Sequence, residues 1–291
     1  MRSHYARGLT LTCIGVLAIT PDTLLVRLVD ADPWTLVFWR GLGIATSLAV
    51  ILWAVEGRAG MRNIVRFGWR QVLGAALMVI VSHCFIWALA LTAAANVLVV
   101  LAGSPLAAAL IGRIFLGEPV PYRTWVAAVV VAGGVAAIFA DDLERGRLAG
   151  NLCAAGAVLG LAAYFVVLRS IRAVNTLPVP IWGNLAAAFA ALPFASPFAV
   201  SQTATLWLVL MACVLMPVGI GLISTGPRYI PAAEVGLLLL LETLLGPLWV
   251  WLGTGEAPTA AVLAAGTVIV AALAMNSLLG LRSAARREMP P

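Results

Sequence analysis

Residues 94–118, AANVLVVLAGSPLAAALIGRIFLGE, and residues 232–256, AAEVGLLLLLETLLGPLWVWLGTGE, decide the fold. Each is apolar over a length that crosses the hydrocarbon core of a bilayer, which takes about 20 helical residues. Ala94, Ala95, Val97, Leu101, Gly117 and Glu118 fall on Ala232, Ala233, Val235, Leu239, Gly255 and Glu256 at a constant offset. Gly8, Val16, Leu17 and Arg27 fall on Gly150, Val158, Leu159 and Arg169 at a nearly equal one. The chain therefore reads as one unit of about five spans written twice, and an odd number of spans per unit turns the second copy upside down in the membrane.

Composition supports an integral membrane protein. Of 291 residues, 63% are hydrophobic and only 10% charged, far outside the range of water-soluble domains. Val126 to Ala140 and Val235 to Leu241 are almost unbroken apolar runs, whereas strands of an outer-membrane barrel alternate apolar and polar residues. The fold class is all-α. Ten spans are expected, at residues 8–28, 34–55, 69–90, 94–115, 122–140, 148–169, 178–198, 204–226, 231–252 and 258–280. Two domains follow, residues 1–140 and 148–280, each a five-helix repeat, with a tail at 281–291.

The net charge of +6 comes from arginines alone. They sit in short connections rather than on one basic face, so they report orientation and not nucleic-acid binding. With the N-terminus inside, Arg2, Arg7, Arg58, Arg62, Arg66, Arg70, Arg113, Arg123, Arg169, Arg172, Arg228, Arg282, Arg286 and Arg287 lie inside, and only Arg27, Arg145 and Arg147 border the outside. The positive-inside rule then places both termini in the cytoplasm of an inner membrane. Met1 to Arg7 and the apolar run after it read as an uncleaved first helix, because no small-residue cleavage pattern precedes Pro21 and Asp22. Cys13, Cys84, Cys153 and Cys213 all fall in spans, where thiols act as small apolar groups, so neither a disulfide framework nor a metal site is expected. Trp34, Trp53, Trp69, Trp125, Trp207 and Trp251 near span ends read as interfacial anchors. Gly156 and Gly160 read as a close-packing pair.

Ala94-Ala95-Asn96, Ser104-Pro105 and Leu116-Gly117-Glu118-Pro119, with their second-half counterparts, resemble the drug/metabolite transporter superfamily, specifically EamA-type members built of two five-helix halves. The resemblance covers roughly residues 8–280. It implies a carrier with a solute cavity between inverted halves, no cofactor, and a small-molecule substrate. Within the superfamily, Ser82-His83 and the short connection that follows look most like YddG-type amino-acid exporters. His83 and Ser104 stand where that group often carries a tyrosine and an aromatic, so aromatic specificity is not implied.

Ionisable groups well inside the spans are few: Asp22, Arg40, His83, Glu234 and Glu242. Each costs on the order of a few kcal/mol unless paired or hydrated, which makes each a functional candidate. Asp22 and Arg40 lie at similar depth in spans 1 and 2 and are expected to form a structural ion pair. Glu242, at the middle of span 9, corresponds to Ser104 in the other half and shares a face with Leu238 and Trp249. Desolvation disfavours a charged carboxyl, so Glu242 is a candidate for proton coupling, with a permanently protonated, hydrogen-bonded acid as the alternative. Glu234 is accounted for by the helix dipole and Asn96 by capping. His83 and Trp87 are one turn apart and offer a polar contact beside an aromatic wall. Together with Ser104, Tyr164, Trp182, Met216, Leu238 and Glu242 they form the expected substrate-binding set. Pro105, Pro217 and Pro247 interrupt spans and are candidate gates.

The expected function is export of small metabolites, amino acids among them, with broad specificity and by alternating access. The alternative is proton-coupled efflux of lipophilic cations attracted by Glu242. An intramembrane enzyme is disfavoured, because His83 is the only histidine in a span and no paired aspartates, His-Glu-x-x-His site or Ser/His arrangement shares its depth. A scaffold or receptor lacks its usual soluble domain or long loop.

Overall fold

The computed structural model describes residues 2–65, 68–117, 120–144, 147–171, 177–225 and 232–288. All secondary structure among them is helical: α1 Arg2–Ile19, α2 Asp22–Val29, α3 Pro33–Val65, α4 Trp69–Leu91, α5 Ala94–Leu101, α6 Ser104–Leu116, α7 Tyr122–Glu144, α8 Leu148–Ser170, α9 Pro178–Ala191, α10 Gln202–Val209, α11 Met216–Thr225, α12 Ala232–Thr254 and α13 Ala260–Glu288. Seven helical stretches are long and apolar enough to cross a membrane, with Pro178–Phe194 and Ala260–Asn276 as shorter apolar helices; α12 is a further 23 residues long. The expected spans 1 to 10 map in order onto α1 with α2, α3, α4, α5 with α6, α7, α8, α9, α10 with α11, α12, and α13.

Two of the spans expected to be continuous are broken, and proline chemistry explains where. Pro21 has no N–H to give to Leu17, and the Thr20 hydroxyl takes that carbonyl instead at 2.9 Å. The chain turns at Thr20–Pro21 and restarts as α2 with Asp22 as its first residue. In span 4, Pro105 removes the bond to Leu101, and the chain passes Ala102–Gly103 with a tightened Gly103 N–H to Val100 carbonyl bond of 3.1 Å. In span 8 the helix widens into a π turn over Leu210–Leu215, just ahead of Pro217. Pro247 is absorbed within a continuous α12. Among the described residues, therefore, the outright breaks fall in the first half, although the second half has residues at both corresponding positions.

The principal interhelix packing joins α4 to α8, α3 to α9, α4 to α9, α1 to α11, α6 to α8, α7 to α13, α12 to α1 and α2, α12 to α5, and α3 to the π turn. Small residues make these approaches possible. A Cβ on Gly156 would meet Cys84 Sγ at 3.1 Å and one on Gly160 would meet Val81 at 3.0 Å, which bears out the close-packing pair on α8. The largest core gathers Val26, Val29, Val37, Phe85, Leu89, Val97, Ala154, Ala187, Met211 and Val250 from both halves. A separate core of Val99, Val131, Ile138, Ile269 and Leu273 joins α7 and α13 at the side.

Hydrogen bonds between connections group them at two ends. One end gathers Thr35 with Ser196, Trp39 with Pro197, and Arg27 with Thr92 and Glu256. The other gathers Arg70 with Ser170, Trp182 with Ile64, and Arg123 with Leu279. These are the groupings that the arginine distribution predicts for the outer and inner sides, and the two ends are called outer and inner below.

Candidate functional site

The break in span 1 builds the site. It ends α1 deep in the bundle and presents Asp22 there, where Arg40 of α3 donates from Nη2 to Asp22 Oδ2 at 2.8 Å. Asp22 is only 6% exposed and Arg40 8%, so this is the buried ion pair that depth alone suggests. The pairing is incomplete: Asp22 Oδ1 and Arg40 Nε are both buried without a hydrogen-bond partner. The Arg40 guanidinium lies over the Phe85 ring at 5.5 Å, a cation–π contact that holds it from the side of α4. Glu242 of α12 lies within electrostatic range of both Asp22 and Arg40. About two turns further along α12, the Trp249 indole donates to the Thr20 hydroxyl at 3.1 Å, fastening α12 to the break itself. The result is two carboxylates and one guanidinium at a helix discontinuity inside an apolar bundle.

His83 and Trp87 come together elsewhere. Both ring systems stand edge-on to Trp34, at 5.7 and 5.4 Å between centroids, and Trp34 also packs on Phe194 at 4.8 Å. His83 Nδ1 donates to the Val79 carbonyl at 2.9 Å, which leaves Nε2 as the acceptor of the neutral ring. His83 and Phe85 are two residues apart on α4, hence on opposite sides of it, so the aromatic group and the charge cluster are separate. Trp34, expected as an interfacial anchor, is instead the hub of the outer aromatic group.

The other expected residues are dispersed. Ser104 is buried at the start of α6, on the rim of the span 4 break. Tyr164 is buried against Val179 and Ile171 in a small core of its own. The Trp182 indole donates to the Ile64 carbonyl at 2.8 Å, at the inner end. Met216 closes the π turn and packs on two of the cores. Leu238 is partly buried on α12, one turn before Glu242. Glu234 lies in the first turn of α12. Asn96 donates to Thr92 Oγ1 at 3.4 Å, whereas the N-cap of α5 is Ala93 with no side-chain cap hydrogen bond, so the expected capping by Asn96 is not what the helix start uses.

Two cavities flank the site. An apolar one of about 510 Å³ lies between α3, α10 and the π turn, lined by Trp39, Leu42, Thr46, Phe198 and Cys213 among others. A polar one of about 370 Å³ lies at the outer end, lined by Arg27, Thr92, Arg147, Glu256 and Thr259 among others. Composition reveals neither Phe85 nor Thr20 as a site residue, because an aromatic and a hydroxyl are ordinary in any span. Glu256 carries a signal in the repeated Gly-Glu, though nothing in the sequence pairs it with Arg27.

Residues 6–140 match the EamA-like transporter family. No curated protein sequence matches the chain. Eleven solved chains match by structure; one crystal structure superimposes with a TM-score of 0.69 at 19% identity, covering 94% of this chain and 98% of the other. At that identity the likeness establishes a shared fold and nothing about the solute.

Proposed function

We propose that the whole chain is an EamA-type carrier of ten spans that exports small metabolites, amino acids foremost and with broad specificity, by alternating access between inverted halves at residues 1–140 and 148–280. The inner membrane is its site, with both termini and the 281–291 tail in the cytoplasm. The observation that carries the reading is the pattern of packed helices. Adding five to each span number turns the 3 with 6 contact into 8 with 1, 3 with 7 into 8 with 2, and 4 with 6 into 9 with 1, while 2 with 7, 4 with 9 and 5 with 10 map onto themselves. A bundle that is its own image under exchange of halves has two equivalent conformations, one open to each side, and swapping the halves' conformations swaps the open side.

The charge cluster supports an amphoteric solute. A zwitterion brings a carboxylate for Arg40, whose Nε has no partner, and an ammonium for Asp22 Oδ1, which also has none, and for the nearby Glu242. Asp22 and Arg40 are buried in this conformation, so a solute reaches them only when the helices part. The apolar surroundings hold few groups that discriminate between side chains, which favours broad specificity. Arg40 beside both carboxylates disfavours a site built for cations alone. The YddG-type assignment rests on the Ser82-His83 segment and the short connection that follows it.

Counterflow in proteoliposomes with an amino-acid panel, with and without an imposed pH gradient, tests the reading. Exchange of several amino acids with differing side chains is expected; exchange of none, or of a single one, contradicts it.

A further inference from the structure

The polar cavity at the outer end already holds a carboxylate, and it belongs to the protein. Glu256, between α12 and α13, accepts from the Ala94 backbone N–H at 2.8 Å at the start of α5. Its two oxygens lie 3.3 and 3.2 Å from Arg27 Nη2. Arg27 in turn donates to the Thr92 carbonyl at 2.8 Å. These bonds tie the end of span 1, the joint between spans 3 and 4, and the joint between spans 9 and 10 into one knot. The knot joins first-half to second-half elements across the outer mouth. Arg147 also lines the cavity, so its lining carries two guanidiniums against one carboxylate, and Arg27 Nε is buried there without a hydrogen-bond partner. A carboxylate held by a guanidinium and a helix-start amide makes charge-assisted hydrogen bonds that a free carboxylate makes equally well.

We propose that Arg27 and the Ala94 amide form a second carboxylate-binding site at the outer mouth, that Glu256 fills it to hold that face shut, and that the carboxylate of an outgoing solute opens the face by replacing Glu256. The last clause rests on the transport reading above; the site and its tethered occupant do not. A ligand drives such an opening only through the difference between its affinities for the open and closed states. Here that difference arises because the solute binds Arg27 only when Glu256 has left.

The test uses the full chain in right-side-out vesicles, with its four native cysteines replaced and Ala93→Cys as a reporter in the cavity lining, labelled by a membrane-impermeant maleimide. Glu256→Ala is expected to raise the labelling rate about tenfold, and acetate at tens of millimolar to lower it again by occupying the vacated site and shielding the reporter beside it, while chloride and methylammonium do not. Glu256→Gln, which keeps the side chain's size, is expected to raise the rate as well and guards against a misfolded alanine variant. In the parent, leucine is expected to speed labelling several-fold and leucine methyl ester not at all. An unchanged rate in both Glu256 variants removes the latch, and acceleration that acetate fails to reverse removes the carboxylate site. Equal effects of leucine and its ester, in vesicles that show leucine counterflow, overturn the displacement step alone. Vesicles without any amino-acid counterflow, yet with acetate reversal, overturn the transport reading and leave the site standing.

Discussion

At the residue scale the decisive feature is a buried ion pair that is only half bonded. Asp22 and Arg40 share a single 2.8 Å contact, and removing either deprives the other of the counter-charge bonded to it in an apolar bundle. Asp22→Asn and Arg40→Gln are each expected to lower unfolding stability by about 3–5 kcal/mol, and the double variant to regain most of the loss. Thermal unfolding of the purified variants in detergent reads this directly, and single variants as stable as the parent would dissolve the pair. Glu242 adds a second carboxylate beside one guanidinium. With all three groups ionised the cluster holds one uncompensated negative charge, a state that burial penalises. Neutrality returns with a proton on a carboxyl, and a solute ammonium that pairs with Glu242 competes with that proton for the same oxygens. Glu242→Gln is therefore expected to retain counterflow and to lose the response of net transport to an imposed pH gradient. A gradient response equal to that of the parent would place the coupling elsewhere. Depth arithmetic made the Asp22–Arg40 pair legible in the sequence, since both lie at similar distance from the same membrane face. The approach of Glu242 was not legible, because it depends on which later span lies beside the first.

At the element scale, prolines mark positions and their neighbours decide the outcome. Pro21, Pro105, Pro217 and Pro247 each remove one backbone donor, yet the results are a break, a second break, a π turn and an uninterrupted helix. The Thr20 hydroxyl serves the Leu17 carbonyl that Pro21 leaves unpaired, and Trp249 holds that hydroxyl from across the interface. Such tertiary support is invisible along one strand of sequence, which is why two spans expected to be continuous are divided. Close packing is more legible, since glycine records it. A Cβ on Gly41 would stand 2.5 Å from the Asn184 carbonyl oxygen and 3.2 Å from the Ala188 nitrogen, both backbone atoms, where α3 crosses α9. Gly133 on α7 has nothing within 4 Å. Gly41→Ala is expected to cost about 1–3 kcal/mol through displaced backbone. Gly133→Ala is expected to be neutral or to stabilise by up to about 1 kcal/mol through helix propensity. Paired melting curves check both, and equal shifts for the two would refute the crossing.

At the scale of the whole molecule, the number of crossings separates a pseudo-symmetric carrier from other helical bundles. Seven stretches satisfy length and hydropathy on their own, and a chain with only those crossings would leave its two ends on opposite sides. Ten crossings return it to the side where it began. The shorter elements Pro178–Phe194 and Ala260–Asn276 fall below a length threshold, yet each packs on a partner in a pair that maps onto itself, α9 on α3 and α13 on α7. Removing either from the count would leave α3 or α7 without the neighbour that exchange of halves requires. The hydrogen bonds between connections point the same way, since Trp182 at the start of α9 reaches Ile64, and Arg123 at the start of α7 reaches Leu279 towards the end of α13. Each such bond brings together connections an even number of spans apart, as alternating crossings demand. Reporter fusions decide the matter: a fluorescent protein that matures only in the cytoplasm is expected to glow, and a periplasm-dependent phosphatase to stay silent, at both termini. A phosphatase active at one terminus alone would leave an odd number of crossings, and the two halves would then be parallel or incomplete, with no exchange of conformations to carry a solute across.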